Sequence, residues 1–437
     1  MFRRSALGPQ LVRLATSWPV LLLSLSALIV WRCYDFFIAP ELRAEDGAKV
    51  FAYFYTHREF AALFRFKAGY VPFLPNLIGY MAVRVPATAT PYFLTIVPTF
   101  LTLTTFSVLR ASAYRRYIGS DALRFVLCLV LALAPIGNHL TVCHTDYSIW
   151  NALLLLLLLV ILPMPRGIAM AALFSLALAT LIWSHPLTIL ALPASLVWLW
   201  RERRVVQRTL HGLIVACQIA HVWFGNRLET AVIAKDTRPV WNRLSELSLR
   251  VLDHLCGGII RPTVSAWGPG TAEFNYVLSA LFVVALLACA VLPKQRIASR
   301  AFYAWIGYGI AAPMMLIAFA RAERGLQATR YYYISKAFTT IAVCLLISQV
   351  LFSLTRRWAP RFNVLPAVAF VLLLAYLNEH KGGLVQPDPA NARIVAKFFS
   401  DLAEAELEHG GHCGIHLDCR KRRGDWPFTI DTRENCK

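Results

Sequence analysis

Three stretches bring together side chains that can do chemistry. The first is Glu41-Leu42-Arg43-Ala44-Glu45-Asp46-Gly47-Ala48-Lys49. Its adjacent carboxylates, Glu45 and Asp46, can take a proton as a general base or help hold a divalent cation such as Mg or Mn, which prefers hard oxygen ligands. They equally suit a solvated loop in which Asp46 opens a helix through Phe51 and Phe54. Just beyond, Lys67 and Tyr70 offer a cation and a phenol to a substrate. The second stretch is Asn138-His139-Leu140-Thr141-Val142-Cys143-His144-Thr145-Asp146. His144 and Asp146 can position a sugar, and Asp146 can join Glu45 and Asp46 around a metal; a hydrogen-bonded loop is the plainer role. The third runs from Arg321 through Arg324 to Arg330, followed by Tyr331, Tyr332 and Tyr333. Guanidinium groups grip phosphate bidentately and phenol rings stack on sugars. A tyrosine belt with arginines on lipid headgroups would look the same. Arg261, in a loop spanning 225–273, is a further cation of this kind.

The elements that must position these groups are apolar. Of 437 residues, 58% are hydrophobic and only 16% charged, with a mean hydropathy of +0.55. A water-soluble surface of this size needs far more charge. The apolar residues come in blocks of roughly 17–23, the length that a hydrocarbon layer of about 30 Å requires of a helix. Leu153 to Leu162 contains only leucine, valine and isoleucine, so that segment is apolar on every side. The expected fold class is all-α: a polytopic transmembrane bundle of about eleven spans, near 18–39, 88–109, 124–138, 147–163, 167–184, 186–200, 209–224, 274–293, 301–320, 332–354 and 363–378. The first block follows Arg3, Arg4 and Arg13 but lacks a small-residue cleavage site, so it reads as an uncleaved span. No glycine-rich phosphate loop is present, which argues against an ATP-driven pump.

Arginine placement sets the register. With the N-terminus in the cytoplasm, the inside loops hold Arg110, Arg115, Arg116 and Arg124; Arg166; Arg201, Arg203, Arg204 and Arg208; Lys294, Arg296 and Arg300; and Arg356, Arg357 and Arg361. The outer turns near Asp146 and at Ser184-His185-Pro186 carry none, as the positive-inside rule demands. The same rule accounts for the net charge of +20 without nucleic acid as a partner. Residues 71–86 are apolar but interrupted by Pro72, Pro75, Asn76, Gly79 and Arg84. They read as a juxtamembrane or re-entrant helix within an outer loop 40–87, and residues 48–66 as an amphipathic helix along the interface. Residues 1–378 then form the transmembrane domain. Residues 379–437 form a hydrophilic outer tail whose Cys413, Cys419 and Cys436 can supply a disulfide in an oxidising compartment. Its loose set of His409, His412, Cys413, His416 and Cys419 fits no zinc spacing well.

This pattern resembles the membrane glycosyltransferases of the GT-C superfamily, which include protein O-mannosyltransferases, aminoarabinose transferases and many bacterial relatives. The resemblance rests on Ala44-Glu45-Asp46-Gly47 in the first outer loop, Ala68-Gly69-Tyr70 and Leu74-Pro75 after it, and Asp146 between spans three and four. It extends to Ser184-His185-Pro186 and to Arg330-Tyr331-Tyr332-Tyr333 near the late spans. It covers most of residues 18–378. It implies sugar transfer from a polyprenyl-phosphate carrier to a glycan, lipid or protein acceptor on the periplasmic face of a bacterial inner membrane, with or without a divalent cation. Asp46 or Glu45 would be the base, and Arg324 and Arg330 would hold the carrier phosphate. Glu45-Asp46 departs from the commoner Asp-x-Asp or Asp-Glu spelling, which leaves the identity of the base open. The rival readings are a transporter or flippase for lipid-linked sugars, a polymerase or ligase of lipid-linked glycans, and a non-catalytic assembly subunit. Transporters place ionisable groups at the bilayer midplane, whereas here the polar groups gather outside the spans.

Overall fold

The computed structural model describes residues 16–38, 40, 42, 46–67, 70–133, 142–228, 297–320, 333–355, 389–409, 415–419 and 428–432. Glu45, Arg261, Arg324, Arg330, Tyr331, Cys413 and Cys436 lie outside these residues, as do the expected spans at 274–293 and 363–378. The described chain is all-α apart from one small hairpin. Its helices are α1 (Trp18–Arg32), α2 (Tyr34–Ile38), α3 (Ala52–Thr56), α4 (Phe73–Ala82), α5 (Thr90–Ser107), α6 (Asp121–Leu133), α7 (Ser148–Leu159), α8 (Ile168–Ile182), α9 (Leu192–Arg201), α10 (Val205–Leu228), α11 (Ile297–Ala320), α12 (Tyr333–Thr355) and α13 (Pro389–Glu408). Among the described residues, one helical stretch, Ala87–Arg116, has the length and apolar content to cross a membrane. Trp18–Arg32, Ser148–Leu159, Ile168–Ile182, Pro186–Arg201 and Tyr333–Leu346 are apolar but shorter. Leu23, Phe100, Leu173, Leu176 and Trp200 project outward, exposed.

The chain divides into two compact units. One comprises Met1–Leu28, Phe106–Gly137 and Ile233–Gly383; the other comprises Ile29–Thr105, Asn138–Val232 and Leu384–Lys437. In the first, α11 packs along α12, and α12 packs against α6. Ser335 Oγ donates to the Ile310 carbonyl at 2.8 Å between α11 and α12. Tyr117 stacks on Phe302, with ring centroids 5.2 Å apart.

The second unit holds the residues of the first two chemical stretches. Residues 48–66 are not one amphipathic helix. A π-helical turn over Asp46–Phe51 runs into α3, the chain breaks at His57-Arg58, and a 3-10 turn follows over Phe60–Phe64. At that end the His57 N–H donates to the Tyr53 carbonyl at 2.9 Å and Arg58 Nε to the Tyr55 carbonyl at 3.3 Å, taking up carbonyls that the helix leaves open. The interrupted segment 71–86 yields α4, ten residues long and so about 15 Å, half a bilayer. Asn76 is buried in it and donates from Nδ2 to the carbonyls of Leu63 and Arg65 at 2.9 and 3.2 Å, locking α4 to the turn before it. Gly79 lets Val50 and Phe54 press against α4, since an added Cβ would sit 2.6 Å from Val50 Cγ1 and 2.7 Å from Phe54 Cδ2.

The C-terminal segment is a folded part of this unit. Val395, Phe398, Phe399 and Leu402 recur at helical spacing on α13 and enter one core with Phe51, Phe54, Ile78 and Ala82. Phe399 meets Phe51 with ring centroids 4.9 Å apart. Strands β1 (His416–Cys419) and β2 (Phe428–Asp431) pair antiparallel, His416 opposite Asp431 and Cys419 opposite Phe428. They bury Cys419 and Ile430 in the same core. Tyr55 Oη donates to Glu406 Oε1 at 2.7 Å across the α3–α13 contact. Burial and this bond push the Tyr55 phenol well above its ordinary range, so it stays a donor.

Candidate functional site

The site is built on a proline. Pro98 lies inside α5 and has no backbone N–H, so the carbonyl of Leu94, four residues earlier, loses its helical donor. Thr145 Oγ1 donates to that carbonyl at 2.9 Å, pinning the 142–146 loop to the helix. A second pin lies about two turns along α5. Thr102 Oγ1 donates to the Val142 carbonyl at 2.9 Å and accepts from Asn151 Nδ2 at 2.7 Å. Thr102 Oγ1 also lies 3.0 Å from the Pro98 carbonyl one turn back, the contact that other threonines of α5 make, as Thr99 does to the Thr95 carbonyl at 2.7 Å.

Asp46 meets this pinned loop. It is 2% exposed. Its Oδ1 accepts the Asp146 N–H at 2.7 Å, and its Oδ2 accepts the Thr145 N–H at 3.1 Å. His144 Nδ1 is 3.2 Å from the same Oδ2. A carboxylate oxygen accepts, so Nδ1 carries the proton and the imidazole tautomer is set by Asp46. The edge of the His144 ring lies against Phe36, centroids 5.4 Å apart. Asp146 in turn forms an ion pair with Lys67. Lys67 is held by reciprocal backbone bonds with Tyr70, at 2.8 and 3.2 Å. Lys67 and Asp146 keep 19% and 14% of their side-chain surface, so the pair is the open edge of a node whose centre is closed.

Beside the node, Ser184 Oγ accepts the Leu74 N–H at 3.2 Å, and the Trp183 carbonyl accepts the Phe73 N–H, also at 3.2 Å. The turn before Pro186 therefore seats the start of α4. His185 caps the following turn, its Nδ1 accepting the Leu187 N–H at 3.0 Å, while its ring packs on Trp150 at 4.5 Å. Burial, with the charge of His221 added, pushes the His185 imidazole down to about 3. It is neutral there and serves as a structural acceptor.

No protein-family model, curated protein or solved structure matches this chain. The ground for its function is the site.

Of the residues expected to act together, the structure brings Asp46, His144, Asp146, Lys67 and Tyr70 into one place. Pro98 and Thr102 lie outside the stretches singled out from the sequence, and Thr145 and Asn151 lie in and just after the second one without a role of their own. A proline inside an apolar block, with a threonine in a loop rich in other polar groups, is their only mark in the sequence. Among the described residues no three His, Cys, Asp or Glu side chains converge as a metal would need. The donor set around the two aspartates does not fit a divalent cation either. N–H groups aim at both oxygens of Asp46, and the ammonium of Lys67 sits on Asp146.

Proposed function

We propose that the chain is a membrane glycosyltransferase that moves a sugar from a polyprenyl-phosphate carrier to an acceptor at the outer face of a bacterial cytoplasmic membrane. The observation that carries the reading is the juncture of Asp46 with the Asp146 N–H, one hundred residues away, with Lys67 on the Asp146 carboxylate. Two acidic loops and a cation meeting at one edge supply a base and a phosphate ligand to the same substrate complex.

In this reading Asp46 is a positioning residue, because both its oxygens are already engaged and almost none of its surface is open. Asp146 takes the proton from the acceptor hydroxyl. The acceptor oxygen attacks the anomeric carbon, the bond from that carbon to the carrier phosphate breaks, and the electron pair leaves with the phosphate. The Lys67 ammonium covers the Asp146 carboxylate while the two are paired. A carrier phosphate competing for the ammonium frees the carboxylate as it binds, coupling donor arrival to activation of the base. Glu45, adjacent in sequence to Asp46, is the alternative base.

Four contacts support the eleven-span scheme by parity. Groups outside the spans that meet through a ring contact or a hydrogen bond lie on the same side of a membrane, so an even number of crossings separates them. Asp46 with Thr145, Leu74 with Ser184, and Phe51 with Phe399 all satisfy the scheme with outer loops and an outer tail. Arg110 donating to the Thr16 carbonyl at 2.7 Å satisfies it on the inner side. The exposed apolar side chains of α5, α8 and α9 gain lipid as their solvent.

The test is incorporation of labelled sugar from polyprenyl-phosphate sugar in membranes carrying the protein. Asp146→Asn should lose at least about a hundredfold in rate, the scale of a missing general base. Lys67→Met should raise the donor concentration needed. Asp46→Asn should lose transfer together with thermal stability, as a clamp does. Undiminished incorporation by Asp146→Asn removes it as the base, and the same result for all three variants removes the reading.

A further inference from the structure

Cys33 and Cys143 are buried together in the second unit and take no part in the transfer chemistry. Cys33 follows the last residue of α1. Its N–H donates to the Ile29 and Val30 carbonyls at 2.9 and 3.2 Å, and its carbonyl accepts the Phe36 N–H at 3.0 Å. One turn of chain thus carries both Cys33 and Phe36, and the 142–146 loop carries Cys143 beside His144. The two segments meet twice. The Phe36 and His144 rings are in contact, centroids 5.4 Å apart, and the Cys33 and Cys143 thiols share a hydrogen bond.

The place of Cys143 is set without Cys33. The Val142 carbonyl before it is held by Thr102, and Thr145 after it is bonded to the Leu94 carbonyl. Cys143 also meets the Thr99 side chain of α5. A small hydrophobe would fill either buried position as well as a cysteine does. Mutual contact of two thiols, each on a segment fixed by other bonds, is more than packing requires. Two sulfurs in hydrogen-bond contact are close enough for small side-chain rotations to bring them to the bonded length of about 2.05 Å.

We propose that Cys33 and Cys143 are joined by a disulfide, which ties the end of α1 to the loop presenting His144, Thr145 and Asp146. Cys143 belongs to the outer turn between the third and fourth expected spans, on the side where disulfides persist. The oxidant is a protein disulfide of that compartment. One cysteine thiolate attacks it and expels one donor thiolate; the second attacks the mixed disulfide and expels the other. Two electrons and two protons end on the donor's pair of thiols, and the S–S bond stays in the chain. Because both sulfurs are buried once the unit is folded, the exchange precedes docking of the loop. The proposal rests on the outer-face placement of that loop and not on sugar transfer, which its test does not measure.

The full-length protein would be taken from membranes into an alkylating reagent, denatured, alkylated again, digested without reduction and mapped by mass spectrometry. The expected product is a peptide pair joined through Cys33 and Cys143, with neither residue alkylated. Cys33→Ala should leave Cys143 alkylatable in the denatured chain and speed hydrogen exchange at the Thr145 and Asp146 amides by about tenfold or more. Both cysteines alkylated in the parent chain, or either joined to a different cysteine, overturns the disulfide. Unchanged exchange in the variant overturns its hold on the loop. Where the disulfide fails, a diazene oxidant added to the purified folded protein separates the two premises. Closure of the Cys33–Cys143 bond then refutes the outer-face placement, and failure to close refutes the pairing.

Discussion

Asp46 and Asp121 are both aspartates at the first turn of a helical segment, and their neighbours set them apart. Asp46 is enclosed and receives two main-chain N–H groups and an imidazole from another loop. It joins distant pieces of chain. Asp121 is partly open and serves guanidiniums. The hydrogen bond from Arg115, joined by the bond and charge of Arg124, holds its carboxyl down to about 2 against the opposing effect of burial. The folded-state value lies below the unfolded one near 3.9. The stabilisation is thus complete above about pH 4 and lost as pH falls toward about 2. Asp121→Asn should be less stable than the parent at neutral pH, and the difference should close over that acid window. Thermal melts of the detergent-solubilised protein at about pH 7, 4 and 2 check this; a difference that persists at the lowest pH refutes the assignment. Glu45-Asp46 and Asp146 stood out in the sequence as carboxylates in apolar surroundings. That Asp46 would be saturated by donors was not readable, because the donors are main-chain groups, which every residue carries.

The helices show the same division between what residue types announce and what only packing decides. The apolar blocks announce themselves, and prolines at 72 and 75 mark 71–86 as a short element, which α4 is. The break in 48–66 had no glycine or proline to betray it; its end is closed by local bonds from His57 and Arg58 that residue types alone do not announce. The proline inside α5 is a third case. Pro98 was visible, but its consequence, an orphan carbonyl taken up by Thr145, involves a residue from another loop. Pro98→Ala restores an N–H that competes for the Leu94 carbonyl. The helix itself should gain, since an interior proline costs about 3 kcal/mol relative to alanine. The 142–146 loop should loosen, and sugar transfer should fall while the melting temperature holds or rises. Hydrogen exchange at the Thr145 and Asp146 amides, faster in the variant, is the direct measurement. A variant with slower transfer but unchanged exchange there would break the proposed link. The hairpin at 416–431 was unreadable for another reason: four-residue strands carry too little periodicity to separate from coil.

On the scale of the whole molecule, the packing of α13 and the hairpin against Phe51, Phe54 and Ile78 ties the last residues to some of the first. Each described unit is assembled from stretches that alternate along the chain. Removing residues 389–437 should uncover the apolar face of the 46–82 segment, with the cost of deleting a buried aromatic such as Phe399 alone at about 3–5 kcal/mol. Rapid proteolysis within residues 51–82 of the truncated protein, against resistance in the full chain, would report it. The same arrangement imposes an order on synthesis. The ribosome emits Phe51 hundreds of residues before Phe399, so the hydrophobic surface around the first loop waits for its cover through most of translation. A chaperone on the side where that loop emerges, or a temporary seat against lipid, has to bridge the interval. Loss of residues 389–437 would leave that surface without its cover for good.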